Sequence, residues 1–133
     1  MSQPAAKPWT LEEFLAWEER QPLRYEFDGV QPLAMTGGTA AHAIVQGNLA
    51  AAIVARLRGQ PCRFIGNDLR IEVAGRIRYP DGFITCAPLA PRDSVAKEPV
   101  VVFEVVSTST ARTDRITKLR EYQATPRGCC GPG

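Results

Sequence analysis

No apolar run in the chain approaches the roughly 18 residues needed to span a bilayer as a helix, so the sequence offers no transmembrane helix and no membrane partner. The N-terminal Met1 to Lys7 lacks the charged-then-apolar order of a secretory signal, and the expected location is the cytoplasm. Charge of one sign is also in short supply. Sixteen Lys and Arg against fourteen Asp and Glu leave a net +2, too little to mark a nucleic-acid binder by electrostatics alone. A basic stretch such as Arg112, Arg115, Lys118 and Arg120 reads equally well as a solvated helix surface. With one histidine and no Cys-x-x-Cys pair, the usual Cys/His zinc site cannot be completed. Phosphate-loop and nucleophile-elbow motifs are missing too, which removes the readiest signatures of a small-molecule enzyme.

What is present suits one soluble α/β or α+β domain: 133 residues, 44% hydrophobic and 23% charged, enough for a modest core. The reading divides the chain into a flexible N-terminus at 1–9, a single domain at 10–123 and a tail at 124–133. Thr10-Leu11-Glu12-Glu13 is a capping box, and a short helix runs from it to about Glu19, with Pro22 beyond its end. Leu23 to Phe27 and Val30 to Met35 flank Asp28-Gly29, a strong hairpin dipeptide, with Pro32 placing the return strand at an edge. Apolar residues recur at helical spacing from Ala40 to Leu57. Cys62 to Ile65, Leu69 to Val73 and Ile77 to Ile84 then read as three strands, with Cys62 and Cys86 as core residues. A polar, proline-rich loop spans Ala87 to Pro99. Val100 to Val106 is continuous and rich in β-branched residues, the pattern of a strand buried on both faces. Ser107 to Thr110 offer N-caps for a last helix, Ala111 to Gln123. The ending Gly128-Cys129-Cys130-Gly131-Pro132-Gly133 has no hydrophobic period and reads as disordered.

Two acids stand out from this frame. Glu104 lies inside the apolar strand pattern, where an uncompensated carboxylate is costly. Asp81 follows Pro80 and precedes Gly82, which by itself is ordinary turn chemistry.

The motifs Tyr25-Glu26-Phe27-Asp28-Gly29, His42 after a small-residue loop, Tyr79-Pro80-Asp81-Gly82, Phe103-Glu104-Val105-Val106-Ser107, and Asp114 with Lys118 and Tyr122 together resemble the Uma-two family, also known as domain of unknown function 820. That family is grouped with the PD-(D/E)XK nucleases as restriction-endonuclease-like proteins, and the resemblance covers roughly residues 10 to 123. It implies a mixed β-sheet flanked by helices, in which one more strand would lie beside Val100 to Val106. That strand is missing after the last helix, so the C-terminus reads as incomplete.

The resemblance further implies that Asp81 and Glu104 meet at one end of the sheet and bind Mg²⁺ or Mn²⁺, with Glu26 as an additional ligand or a water-orienting group. The superfamily's lysine should stand two residues after the second acid, where this sequence has Val106. Lys118 on the final helix is the substitute, and His42 a further candidate. Each has a plainer alternative: Asp114 and Lys118 as a surface i, i+4 ion pair, His42 as a hydrogen-bonded structural histidine, Glu26 as a solvated hairpin residue. The implied activity is metal-dependent hydrolysis of nucleic-acid phosphodiesters, with DNA as the expected substrate. The alternative is a catalytically inactive nuclease-fold module that binds nucleic acid or protein. An unpaired edge along Val100 to Val106 also predicts association, with a homodimer as the simplest product.

Overall fold

The computed structural model describes residues 7–35, 37–106 and 111–124, with side chains at 117–123 in the last of these segments. Helix α1 (Leu11–Glu18) starts at the capping box, with Glu13 N–H donating to Thr10 Oγ1 and Thr10 N–H to Glu13 Oε1. The hairpin of β1 (Tyr25–Phe27) and β2 (Pro32–Ala34) follows, with β2 at a sheet edge where Pro32 breaks no central ladder. Helix α2 (Ala40–Arg56) is capped by Thr39 Oγ1, which accepts from His42 N–H. Then come β3 (Arg63–Gly66), β4 (Arg70–Val73), β5 (Arg76–Arg78), β6 (Gly82–Thr85), β7 (Val95–Ala96), β8 (Pro99–Phe103) and α3 (Ala111–Ala124). The β4–β5 turn places Ala74 and Gly75 at φ 50° and 74°, the double left-handed geometry of a tight hairpin.

The class is mixed α and β, as the sequence implies, but the strands form two sheets: β2-β1-β5-β4-β7, and β3-β6-β8. The expected single strand Ile77 to Ile84 is accordingly two strands in different sheets. Between them Tyr79-Pro80-Asp81 carries the chain across, and Pro80, which has no N–H to pair, is fully buried at the crossing. Alternation cannot register such a switch, because each half is only three or four residues long. One core cluster, Ile71, Val73, Phe83 and Ala96, brings β4 and β7 of one sheet together with β6 of the other, with Val102 of β8 and Tyr122 of α3 packed against it. A second, Phe14, Phe27 and Ile77, fastens α1 to the first sheet.

Three further expectations are corrected. Val100 and Val101 are 41% and 42% exposed and Val106 51%, because β8 is the edge of its sheet, with no strand beyond it among the described residues. The strand also ends at Phe103, so Glu104 stands just past it rather than within it. Cys62 and Cys86 are not core residues. They flank the paired positions Arg63 and Thr85 of β3 and β6 and form a disulfide across the two strands, with Cys86 exposed. The proposed caps Ser107 to Thr110, the Asp114 side chain, the N-terminal residues 1–6 and the Cys129-Cys130 tail lie outside the described residues.

Candidate active site

The sheet crossover delivers Asp81 to the end of β8. Its Oδ2 accepts from Val105 N–H at 2.6 Å, so the residue beside Glu104 is tied to Asp81 although 24 positions separate them. Gly82 makes the approach possible: a Cβ there would lie 2.4 Å from Phe64 Cζ, so β6 passes β3 only without a side chain. From the other side α2 presents two residues one turn apart. Gln46 Nε2 donates to Asp81 Oδ1 at 2.5 Å, and His42 Nε2 lies 3.3 Å from that oxygen and 3.2 Å from Val105 O. The inward line of α2, His42, Gln46, Leu49, Ile53 and Leu57, is only partly covered, and none of its residues is fully buried.

Glu104 is reached from α3. Tyr122 Oη donates to Glu104 Oε1 at 2.8 Å, and Lys118 Nζ lies 3.8 Å from the same oxygen. The Lys118 amine also stands 3.4 Å from Glu26 Oε1, and its side chain is only 12% exposed. It therefore faces the carboxylates. Glu26 in β1 is buried and charge-compensated: its Oε2 accepts from Tyr79 N–H at 2.9 Å, and its Oε1 is 3.4 Å from Arg78 Nη1.

Burial pushes the Glu104 carboxyl up to about 7, helped by the charges of Asp81 and Glu26, while Lys118 and the Tyr122 hydrogen bond only partly oppose the rise. Tyr122 is raised in turn by burial and by the charge and hydrogen bond of Glu104. On Arg78 burial acts downward, but the hydrogen bonds it donates to Glu121 and the charges of Glu26 and Glu121 outweigh it and hold the guanidinium firmly charged.

All five residues singled out in the sequence thus fall in one contiguous network: His42 and Asp81 on one side, Glu26, Lys118 and Glu104 on the other, with Val105 between. Gln46, Arg78 and Glu121 belong to it too and escaped the sequence reading. Gln46 had a usable signal, standing four residues after His42 in a helix with no charged residue from Ala40 to Ala55. Arg78 and Glu121 had none, because their pairing spans 43 positions.

Among the described residues no set of three or more His, Cys, Asp and Glu side chains is arranged to hold a metal ion, and no helix is long and apolar enough to cross a membrane. Two carboxylates completed by water are nevertheless the ordinary ligand set of Mg²⁺. The donor chemistry fits, since a carboxyl raised by burial beside other carboxylates is short of positive charge.

The chain is 36% identical over 121 residues to the uncharacterized protein slr1290 of Synechocystis sp., covering 86% of this chain and 62% of that one. Its fold is similar to a crystal structure from Anabaena variabilis described as "a putative nuclease belonging to DUF820", with a TM-score of 0.64 and 19% identity over 84% of this chain and 65% of that one. The chain therefore spans somewhat less than two thirds of the length of these relatives. A family model, Uma2, described as "Putative restriction endonuclease", matches residues 11–127, and the chain belongs to that family.

Proposed function

We propose that this chain carries a nuclease site that hydrolyses nucleic-acid phosphodiesters with the help of a divalent cation, Mg²⁺ or Mn²⁺, and acts on DNA. One observation carries the reading: Asp81 and Glu104, 23 residues apart in sequence, are joined through the Asp81–Val105 hydrogen bond, and the Lys118 amine stands at Glu104. Asp81 and Glu104 would hold the cation, which supplies a Lewis acid for the phosphate and lowers the pKa of a bound water. His42 and Gln46 hold the Asp81 carboxylate at Oδ1 and Val105 N–H holds it at Oδ2, whose second lone pair is left for a ligand. Lys118 supplies the positive charge that the superfamily places two residues after the second acid, where this chain has the half-exposed Val106. Its position suits charge stabilisation at a phosphate and orientation of an attacking water. Glu26 holds that amine from behind, and serves as a further ligand or water-orienting group if the amine shifts toward substrate.

A cytoplasmic location belongs to the same reading. There the glutathione and thioredoxin systems would act to reduce the Cys62–Cys86 disulfide. Titrating Mn²⁺ into the protein and into Asp81→Ala, alongside a plasmid-nicking assay with Mg²⁺ or Mn²⁺ and with EDTA, tests the site. The expected result is metal binding lost in Asp81→Ala and nicking abolished by EDTA. Equal heats for both proteins would remove the basis for the nuclease reading, and a DNA mobility shift without cutting would favour a binding module on the same fold.

A further inference from the structure

The described side chains of α3 meet the rest of the protein largely through polar groups. Over its described side chains, Thr117, Leu119, Arg120 and Gln123 face solvent, Leu119 at 54% exposure, while Lys118, Glu121 and Tyr122 face inward. A surface helix ordinarily docks by an apolar stripe. Here two of the three inward residues are charged, and only the Tyr122 ring joins a core cluster.

The deepest of the three is Glu121. Its carboxylate takes a two-pronged grip from Arg78, with Nε to Oε2 at 2.9 Å and Nη2 to Oε1 at 2.7 Å, and Arg76 Nε adds a third contact at 3.1 Å. Arg78 and Glu121 are 3% and 5% exposed. Arg78 also reaches Glu26 Oε1, the oxygen that faces Lys118.

We propose that the buried Arg78–Glu121 pair is the positioning device of the site: it docks α3 on β5 and thereby sets Lys118 and Tyr122 against Glu104. The consequence for catalysis rests on the nuclease reading, but the docking itself does not. A planar guanidinium meeting both carboxylate oxygens fixes the direction of the Glu121 side chain as well as its distance, and so fixes the rotation of α3. Lys118 lies three residues before Glu121 on the same face and Tyr122 immediately after it. Charge balance works in the same direction. Arg76, Arg78 and Lys118 face Glu26, Glu104 and Glu121, so loss of the Glu121 charge leaves Arg78 free to draw Glu26 away from Lys118. Neither Arg78 nor Glu121 touches the reacting atoms in this scheme, and both act through Lys118 and Tyr122.

The test compares the wild type with Glu121→Gln and with Arg78→Met/Glu121→Met, in which the charges are replaced by apolar groups that still fill the space. Amide hydrogen exchange over 111–124 and the rate of Lys118 acetylation by a water-soluble active ester are both read by mass spectrometry. In Glu121→Gln, exchange in α3 and labelling of Lys118 should each rise at least tenfold while β4 and β5 stay protected. The double variant should keep the wild-type melting temperature within a few degrees and still label Lys118 faster, because an apolar pair does not set the helix rotation. Lys118 as protected as in the wild type in the double variant overturns the proposal, and that measurement decides if Glu121→Gln fails to fold. Nicking is assayed in parallel: a wild type that does not cleave overturns the nuclease reading and leaves the docking result standing.

Discussion

Replacing Glu104 by Gln should change stability in opposite senses at the two ends of the titration. The Glu104 carboxyl, ordinarily near 4.5, is pushed up to about 7 by burial and the neighbouring carboxylates. Between those two values the folded protein holds a proton that the unfolded chain has released, so stability falls as pH rises through this window. Below it the carboxyl is protonated in both states and costs nothing. Above it the folded state carries the whole penalty. At about 1.4 kcal/mol per pH unit between the two values, the penalty is about 3 kcal/mol, an upper figure because the side chain is 27% exposed. Glutamine keeps the size and does not titrate. Relative to wild type, Glu104→Gln should be neutral or slightly destabilised at pH 4.5 and more stable at pH 8 in EDTA, by up to roughly 10 °C in melting temperature. Mn²⁺ should then stabilise the wild type at pH 8 and leave Glu104→Gln unmoved, because a cation offsets the charge that the mutation removes. Melting curves by circular dichroism from pH 4.5 to 8, with and without Mn²⁺, read all of this. A stability difference that stays flat with pH would refute the argument that Glu104 is a strained, charge-deficient carboxylate.

Lys118→Met should lower metal-dependent cleavage by about 10²-fold, the usual loss for an electrostatic stabiliser, and, with its opposing cation gone, should carry the Glu104 midpoint further up in a pH titration. Cleavage at the wild-type rate would move attention to His42 and Glu26. Gly82→Ala should cost about 1–3 kcal/mol by overpacking against the Phe64 ring, and an unchanged denaturant midpoint would show that this ring is free to move. At β8 we expect self-association through the uncharged edge Pro99–Phe103, where Val100 and Val101 are half-exposed. Sedimentation should find dimers or larger species that Val101→Lys dissociates, and a clean wild-type monomer at high concentration would count against edge pairing.

Residues close together in the chain determined much of this protein unaided. The capping box at Thr10 and Glu13, the Asp28-Gly29 hairpin and the long helical period of α2 are local patterns, and each produces its element wherever the chain folds. The ordered motifs around Glu26, His42, Asp81, Glu104 and Lys118 were enough for the family, because chemistry-bearing residues keep their order even when their partners are distant. What tertiary structure alone decided is everything that depends on which surfaces meet. The run from Ile77 to Ile84 mixes apolar residues with Arg78 and Asp81, nothing in that local pattern tells that it changes sheets at Pro80, and that change is what aims Asp81 at Val105. Val100 to Val106 has the composition of a doubly covered strand, yet its covering is a property of neighbours, and β8 lies at an edge with Glu104 beyond its last residue. Cys62 and Cys86 became partners only through the β3–β6 register. Arg78 and Glu121 look like solvated charges in sequence, and only the packing of α3 against the first sheet removes them from water and brings them together as an ion pair.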